Sequence, residues 1–261
     1  MSEPDRQDLS VEGRTSVTIA DHVMEITMVR HDKRNAIDGE MTKAIDRALN
    51  RLDDDPDLWL GILTGGPDMF CAGTDMAATS GTPTERGGVY GVVGRTRVKP
   101  LIAAVEGIAY GGGFEVVMAC DLVVAASDAR FALPEVKRGL VATSGALFRA
   151  SRVLPLNVAK QLLFTGADLS PVDAERHGLV NQVTEPGRAL PEARELAARI
   201  TANAPLSVQQ SLRVVEAIHG RDDEAWWDLT NEARRVIQQS ADAEEGVAAF
   251  FEKRPPRWTG R

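Results

Sequence analysis

Apolar and polar positions change their period along this chain, and each change marks an element. Two runs rich in β-branched residues, Thr15–Ala20 ("TSVTIA") and residues 22–30 ("HVMEITMVR"), flank a short turn at Asp21 and predict a β-hairpin. From Asp38 the period lengthens. Met41, Ala44, Ile45, Ala48, Leu49 and Leu52 recur at helical spacing, which predicts a helix capped by Asp38 and stopped at "DDDPD". "LWLGILTGG", "KPLIAAVEG", "DLVVAAS" and "ARFAL" then read as short apolar strands. Strands alternating with helices predict an α/β core. Between them, residues 77–96 are rich in Gly and Thr with weak periodicity and predict a mobile loop beside the site. After Gly187 the strand pattern stops, and helices are expected at about 189–203, 205–219, 223–239 and 242–253, the middle pair separated by "HGRDD". The chain thus divides into an α/β core, 1–187, and a helical region, 188–261. Trp226, Trp227, Phe250 and Phe251 give that region apolar area to pack on its own core or on a neighbouring subunit.

Composition narrows the classes. The 261 residues are 43% hydrophobic and 26% charged, as in a globular protein. Residues 1–13 are polar and acidic rather than signal-like, and no apolar run approaches the about 20 residues that span a bilayer, so a cytoplasmic protein without membrane association is expected. A net charge of -8 argues against nucleic-acid binding, which needs a basic face. Cys71 and Cys120 lack paired spacing and read as reduced packing residues; His22, His31, His177 and His219 lack metal-ligand spacing, so no metal site is expected.

Candidate chemistry begins at "AYGGGFEVVMACD", residues 109–121, where one carboxylate, Glu115, interrupts an apolar helix. Burying an unpaired charge costs several kcal/mol, so something must solvate or use it. The three glycines lie between a strand and a helix and leave backbone N–H groups open to a ligand, but they match neither GxGxxG nor a phosphate loop. Tight helix-on-strand packing would explain them equally well. A second glycine-containing loop, "GGPDMFCAGTDM", residues 65–76, also follows a strand.

Together with "RFALPEVKRGL", "RHDKRNAID", "KPLIAAVEGIAYGGG", "CDLVVAASDARFALPEV", "LLFTGADLSPVDAERHGLVNQV" and "FFEKRPPRW", these motifs resemble the crotonase (enoyl-CoA hydratase/isomerase) family from about residue 14 to the C-terminus. The resemblance implies an α/β spiral of ββα units with a helical C-terminal region that makes trimers, often paired into hexamers. It also implies an acyl-CoA thioester substrate, with coenzyme A entering as part of the substrate and no separate cofactor. By position, the N–H groups of Thr74 and Gly112 form an oxyanion hole, and Glu115 and Glu135 are the acid/base pair. By the same resemblance, Lys33, Arg34, Ala36, Ala72, Asp75, Met76 and Lys253 are expected to contact coenzyme A. Fixed donors aimed at a forming enolate are worth about 10²- to 10³-fold each. Family isomerases generally keep the glutamate at the position of Glu135 and lack that at Glu115, so the resemblance favours hydration of a 2-enoyl-CoA to a 3-hydroxyacyl-CoA. An isomerase, a carnitinyl-CoA dehydratase-like enzyme ("ALPEVKRGLV" resembles that branch) and a non-catalytic acyl-CoA carrier remain as alternatives. "VATSGALFR" departs from the family's glycine-rich turn. There Ser144 reads as the N-cap of the next helix, and it lies outside any GxSxG elbow.

Overall fold

The computed structural model describes residues 7–12, 14–220 and 223–259. Strands β2 (Thr15–Ala20) and β3 (Val23–Met28) pair antiparallel about Asp21 and His22, both at positive φ, as the hairpin pattern requires. A strand the pattern did not mark, β1 (Gln7–Glu12), adds antiparallel to β2 at the sheet edge, where polar residues are tolerated. Helix α1 (Gly39–Asp54) forms where the apolar spacing places it. The Asp38 side chain accepts the Met41 N–H at 2.9 Å, and Lys99 Nζ closes the other end on the carbonyls of Leu52 and Asp55, at 2.7 and 2.6 Å. A cation there complements the helix dipole.

From β3 onward the sheet is parallel: β4 (Leu60–Thr64), β5 (Leu101–Val105), β7 (Leu122–Ala126) and β9 (Gln182–Thr184) extend it in the order β1-β2-β3-β4-β5-β7-β9. A small second sheet pairs β6 (Ile108–Tyr110) with β8 (Arg130–Ala132), also parallel. The strand sequences read as unbroken apolar runs because both sheet faces are covered. Leu63, Leu101 and Ala103 turn toward the main core with Phe70, Phe114 and Phe131. Leu60, Ile62, Ile102 and Ala104 meet Ala189, Ala193 and Ala197 of α6 (Ala189–Thr201). The first helix beyond residue 187 therefore lies on the sheet.

Helix α2 (Gly112–Met118) is buried throughout and follows β6 directly. Helices α3 (Ala146–Val153), α4 (Leu156–Thr165) and α5 (Pro171–Arg176) fill the stretch before β9. The tail continues as α7 (Pro205–His219), α8 (Asp223–Gln238) and α9 (Ala241–Glu252); Arg221 and Asp222 of "HGRDD" lie outside the described residues. No residue of α7 is buried. α9 returns to pack on the 3₁₀ turn Pro134–Arg138.

The stretch 77–96 is less loose than its sequence predicts. Arg95 is buried and reaches back to α1, 2.6 Å from Asp46, 2.7 Å from Asp53 and 2.8 Å from Asn50, and Tyr90 is buried as well. Side-chain bonds of this kind carry no period. Burial pushes the thiols of Cys71 and Cys120 up to about 12, which leaves them inert packing residues. Among the described residues, no helix is long and apolar enough to cross a membrane.

Candidate active site

Asn35 ties the two glycine loops to the "KRNA" segment. Its side-chain amide donates to the carbonyls of Gly65 (2.8 Å) and Phe70 (3.1 Å), while the Asn35 backbone carbonyl accepts the Cys71 thiol at 3.0 Å. The 65–76 loop then runs beside β6, with Cys71 N–H on the Ile108 carbonyl at 2.9 Å and Tyr110 N–H on the Cys71 carbonyl at 3.0 Å. This pairing brings Gly73, at φ 100°, against the first turn of α2. A Cβ there would stand 3.2 Å from the Gly112 nitrogen. A Cβ on Gly112 would collide with the Tyr90 phenol. Glycine is required at both positions by close approach. Among the described residues, neither the Thr74 nor the Gly112 N–H has an acceptor, so two backbone donors stand free beside one another.

They line a cleft of about 790 Å³ that also receives Glu115 and Glu135. Glu115 is buried, and its Oε1 accepts the N–H groups of Ser144 (2.6 Å) and Ala146 (3.1 Å). This is what solvates the carboxylate inside an apolar helix. Ser144 is not the helix cap predicted for it: Gly145 holds that position at φ 107° without a side-chain bond, and the Ser144 N–H serves Glu115 instead. Burial nevertheless raises the Glu115 pKa, against the lowering by those two N–H groups.

Glu135 sits in the 3₁₀ turn with one carboxyl oxygen near Gly111 and the other, Oε2, buried without a partner. Its basic neighbours turn away. Lys137 donates to the Gly166 carbonyl at 2.6 Å, and Arg138 lies over the Phe250 ring. Burial raises its pKa, and the charge of Glu115 raises it further. Two carboxyl groups coupled in this way titrate as a pair, and the second ionisation is displaced upward.

The remaining predicted contacts divide. Lys33 and Arg34 are exposed at the cleft, with no ion pair among the described residues, and Ala36, Ala72 and Met76 line it too. Asp75 also lines it, but its carboxylate is committed to Arg30 (2.7 Å) and to the N–H groups of Ala77 and Ala78, which hold it below the usual carboxylate range. Lys253 is exposed at the C-cap of α9 and does not line this cleft. Sequence reasoning missed Tyr90 within an aperiodic loop, and it missed Arg234, Ile237 and Gln238, through which α8 closes over the cleft. Nothing local in those stretches distinguishes them from surface residues.

The chain is similar to known proteins over most of its length. The family model described as "Enoyl-CoA hydratase/isomerase" matches residues 18–261. Enoyl-CoA hydratase EchA19 of Mycobacterium tuberculosis is 38% identical over 250 residues, covering 92% of this chain and 94% of that protein. Carnitinyl-CoA dehydratase of Salmonella typhi is also 38% identical, covering 92% of this chain and 95% of the relative. The crystal structure of a carnitinyl-CoA hydratase from Mycobacterium avium superimposes with a TM-score of 0.91 at 41% identity, over 96% of this chain and 100% of that one.

Proposed function

Because the chain belongs to the enoyl-CoA hydratase/isomerase family, we propose that it adds water across the double bond of a 2-enoyl-CoA to give a 3-hydroxyacyl-CoA. The observation that carries this reading is the pair of carboxyl groups facing one cleft beside two free backbone donors. The thioester carbonyl is polarised by the N–H groups of Thr74 and Gly112, which stabilise the enolate as its oxygen gains charge. Glu115 takes a proton from water as the water oxygen bonds to the β-carbon, and Glu135 gives a proton to the α-carbon. The pair returns to its starting state when one proton passes from Glu115 to Glu135. Addition of water is redox-neutral and uses only these groups, so no metal or redox cofactor is assigned.

Lys33 and Arg34 are assigned to the phosphates of coenzyme A, since both are unpaired cations at the mouth of the cleft. A dehydratase acting on a polar 3-hydroxyacyl-CoA is the second reading. It is favoured by the hydroxyl-bearing side chains of Thr74, Tyr90, Thr143 and Ser144 in the cleft and by the names of two of the relatives. The tail is assigned to assembly of a trimer, or of a hexamer built from two trimers, because no residue of α7 is fully buried within one protomer.

The test is turnover. Glu115→Gln and Glu135→Gln are each expected to lower hydration of 2-enoyl-CoA thioesters by at least about 10²-fold while ligand affinity stays within several-fold, because the amide keeps the shape and cannot exchange the proton. Double-bond migration that survives Glu115→Gln, with negligible water addition by the unmutated protein, would make it an isomerase. Tight acyl-CoA binding without any turnover would make it a carrier.

A further inference from the structure

Tyr90 is buried, yet its backbone stands in the left-handed region at φ 57° and ψ 7°. A bulky side chain rarely adopts that conformation, and it persists only where the surroundings fix it. Here two anchors on α1 bracket Tyr90 in the chain: Thr84 Oγ1 donates to Asp46 Oδ1 at 2.8 Å, and Arg95 reaches the same oxygen at 2.6 Å. Between them the loop closes on itself, with Thr84 and Gly88 exchanging N–H bonds at 2.9 and 3.0 Å and the Gly94 N–H on the Gly87 carbonyl at 2.9 Å. Held this way, the Tyr90 side chain meets two residues at once. Its Oη is hydrogen-bonded to the Thr74 Oγ1 at 2.7 Å, and its ring fills the space that a Gly112 side chain would need. These are the two residues lining the cleft whose N–H groups have no acceptor among the described residues.

Backbone bonds fix where each donor points. Thr74 lies in a bridge with Ile37, in which the Gly73 carbonyl accepts the Ile37 N–H at 2.8 Å and the Asp75 N–H donates to the Ile37 carbonyl at 3.0 Å. The N–H and C=O of a trans peptide point in opposite directions, so the Thr74 N–H is turned away from Ile37. The Gly111 carbonyl accepts the Glu115 N–H at 3.0 Å inside the first turn of α2, and so the Gly112 N–H leaves the helix through its N-terminus. How far apart the two donors stand is a separate matter, because one belongs to the 65–76 loop and the other to α2. We infer that Tyr90 is a positioning residue that sets this separation: its hydroxyl fixes Thr74 and its ring backs Gly112, from a loop anchored on α1. Two donors stabilise one oxygen only when both lie about 2.7–3.1 Å from where its charge develops, so a displaced Thr74 weakens the site without closing it. The use of the pair as an oxyanion hole rests on the hydratase reading above.

A readout without turnover separates the two. Butyryl-CoA, isotopically labelled at the thioester carbonyl carbon, has no double bond to hydrate, and donors aimed at its oxygen lower its carbonyl stretching frequency. The infrared band of this ligand is expected to lie lower on the unmutated protein than in water, and to move back toward the free value in Tyr90→Phe and in Thr74→Val, with circular dichroism confirming the fold of each variant. The double variant should move it no further than either single change, since both remove the same bond. With a 2-enoyl-CoA as substrate, Tyr90→Phe should lower kcat about tenfold with KM within about twofold, the split expected when an interaction that strengthens in the transition state is lost. A lowered band that Tyr90→Phe leaves in place overturns the role of Tyr90 and leaves the oxyanion hole standing. A band that moves in Tyr90→Phe but not in Thr74→Val means that the phenol bonds the ligand directly, and overturns the positioning role as well. No lowering on the unmutated protein overturns the oxyanion hole and the role of Tyr90 with it. A band that moves in both variants of a protein that hydrates no enoyl-CoA supports the placing of the donors by Tyr90 and overturns the hydratase reading.

Discussion

Glu135 is a residue whose ionisation the fold opposes. Its pKa is raised by burial and by the nearby Glu115 carboxylate. A carboxyl group with a raised folded-state pKa binds its proton more tightly in the folded than in the unfolded chain. The cost to stability is absent below the unfolded value of about 4.3, grows as pH rises toward the folded value, and is complete above it. Glu135→Gln is therefore expected to leave the melting temperature nearly unchanged at pH 4 and to raise it at pH 8.5, by roughly 2–4 °C for each kcal/mol recovered. Calorimetry at the two pH values checks this. An equal shift at both would show that the gain comes from packing and not from removal of a buried charge. Loss of activity together with a gain of stability is the pattern of a residue held for its chemistry.

At the scale of elements, the 77–96 loop shows how an aperiodic stretch acquires a fixed shape. Arg95 lies between Asp46 and Asp53 of α1 with its guanidinium almost wholly removed from water. Breaking a buried ion pair by removing one partner costs about 3–5 kcal/mol, because the remaining charges lose their compensation. Arg86 still reaches Asp53, so the lower end of that range applies to Arg95→Ala. The variant is expected to be cleaved within 77–96 faster than the unmutated protein in limited proteolysis, and to lose activity as Tyr90 is released. Unchanged cleavage would mean that the rest of the loop, with Tyr90 bonded to Thr74, holds its shape without Arg95.

The whole molecule carries an apolar surface that one protomer does not cover. Leu206, Val215 and Ile218 of α7 are each more than half exposed, as are Leu229, Val236 and Phe251 further along the tail. A helix of this length is marginal in water unless it packs on something, and exposed apolar side chains along the tail motivate a test of assembly. Sedimentation at micromolar concentration is expected to show at least a trimer of the 28.2 kDa chain. A stable monomer would remove the assembly role from the tail. It would also leave Lys253 without a route to a nucleotide phosphate, since that residue stands outside its own protomer's cleft.

The sequence by itself determined the elements whose cause is local. The hairpin about Asp21, the helix capped by Asp38 and the apolar parallel strands follow from side-chain period and capping chemistry, which neighbouring residues specify. The ordered motifs also placed Glu115, Glu135, Thr74 and Gly112 as candidates, and all four line one cleft. Tertiary structure alone decided what those residues meet. Glu115 is answered by N–H groups 29 and 31 positions later, and Tyr90 reaches Thr74 from 16 positions away. The closure of α8 over the cleft and the anchoring of Arg95 on α1 are of the same kind. Such contacts join side chains far apart in sequence through a particular packing of elements, and hydrogen bonds made across that distance leave no period in the chain for a pattern to detect.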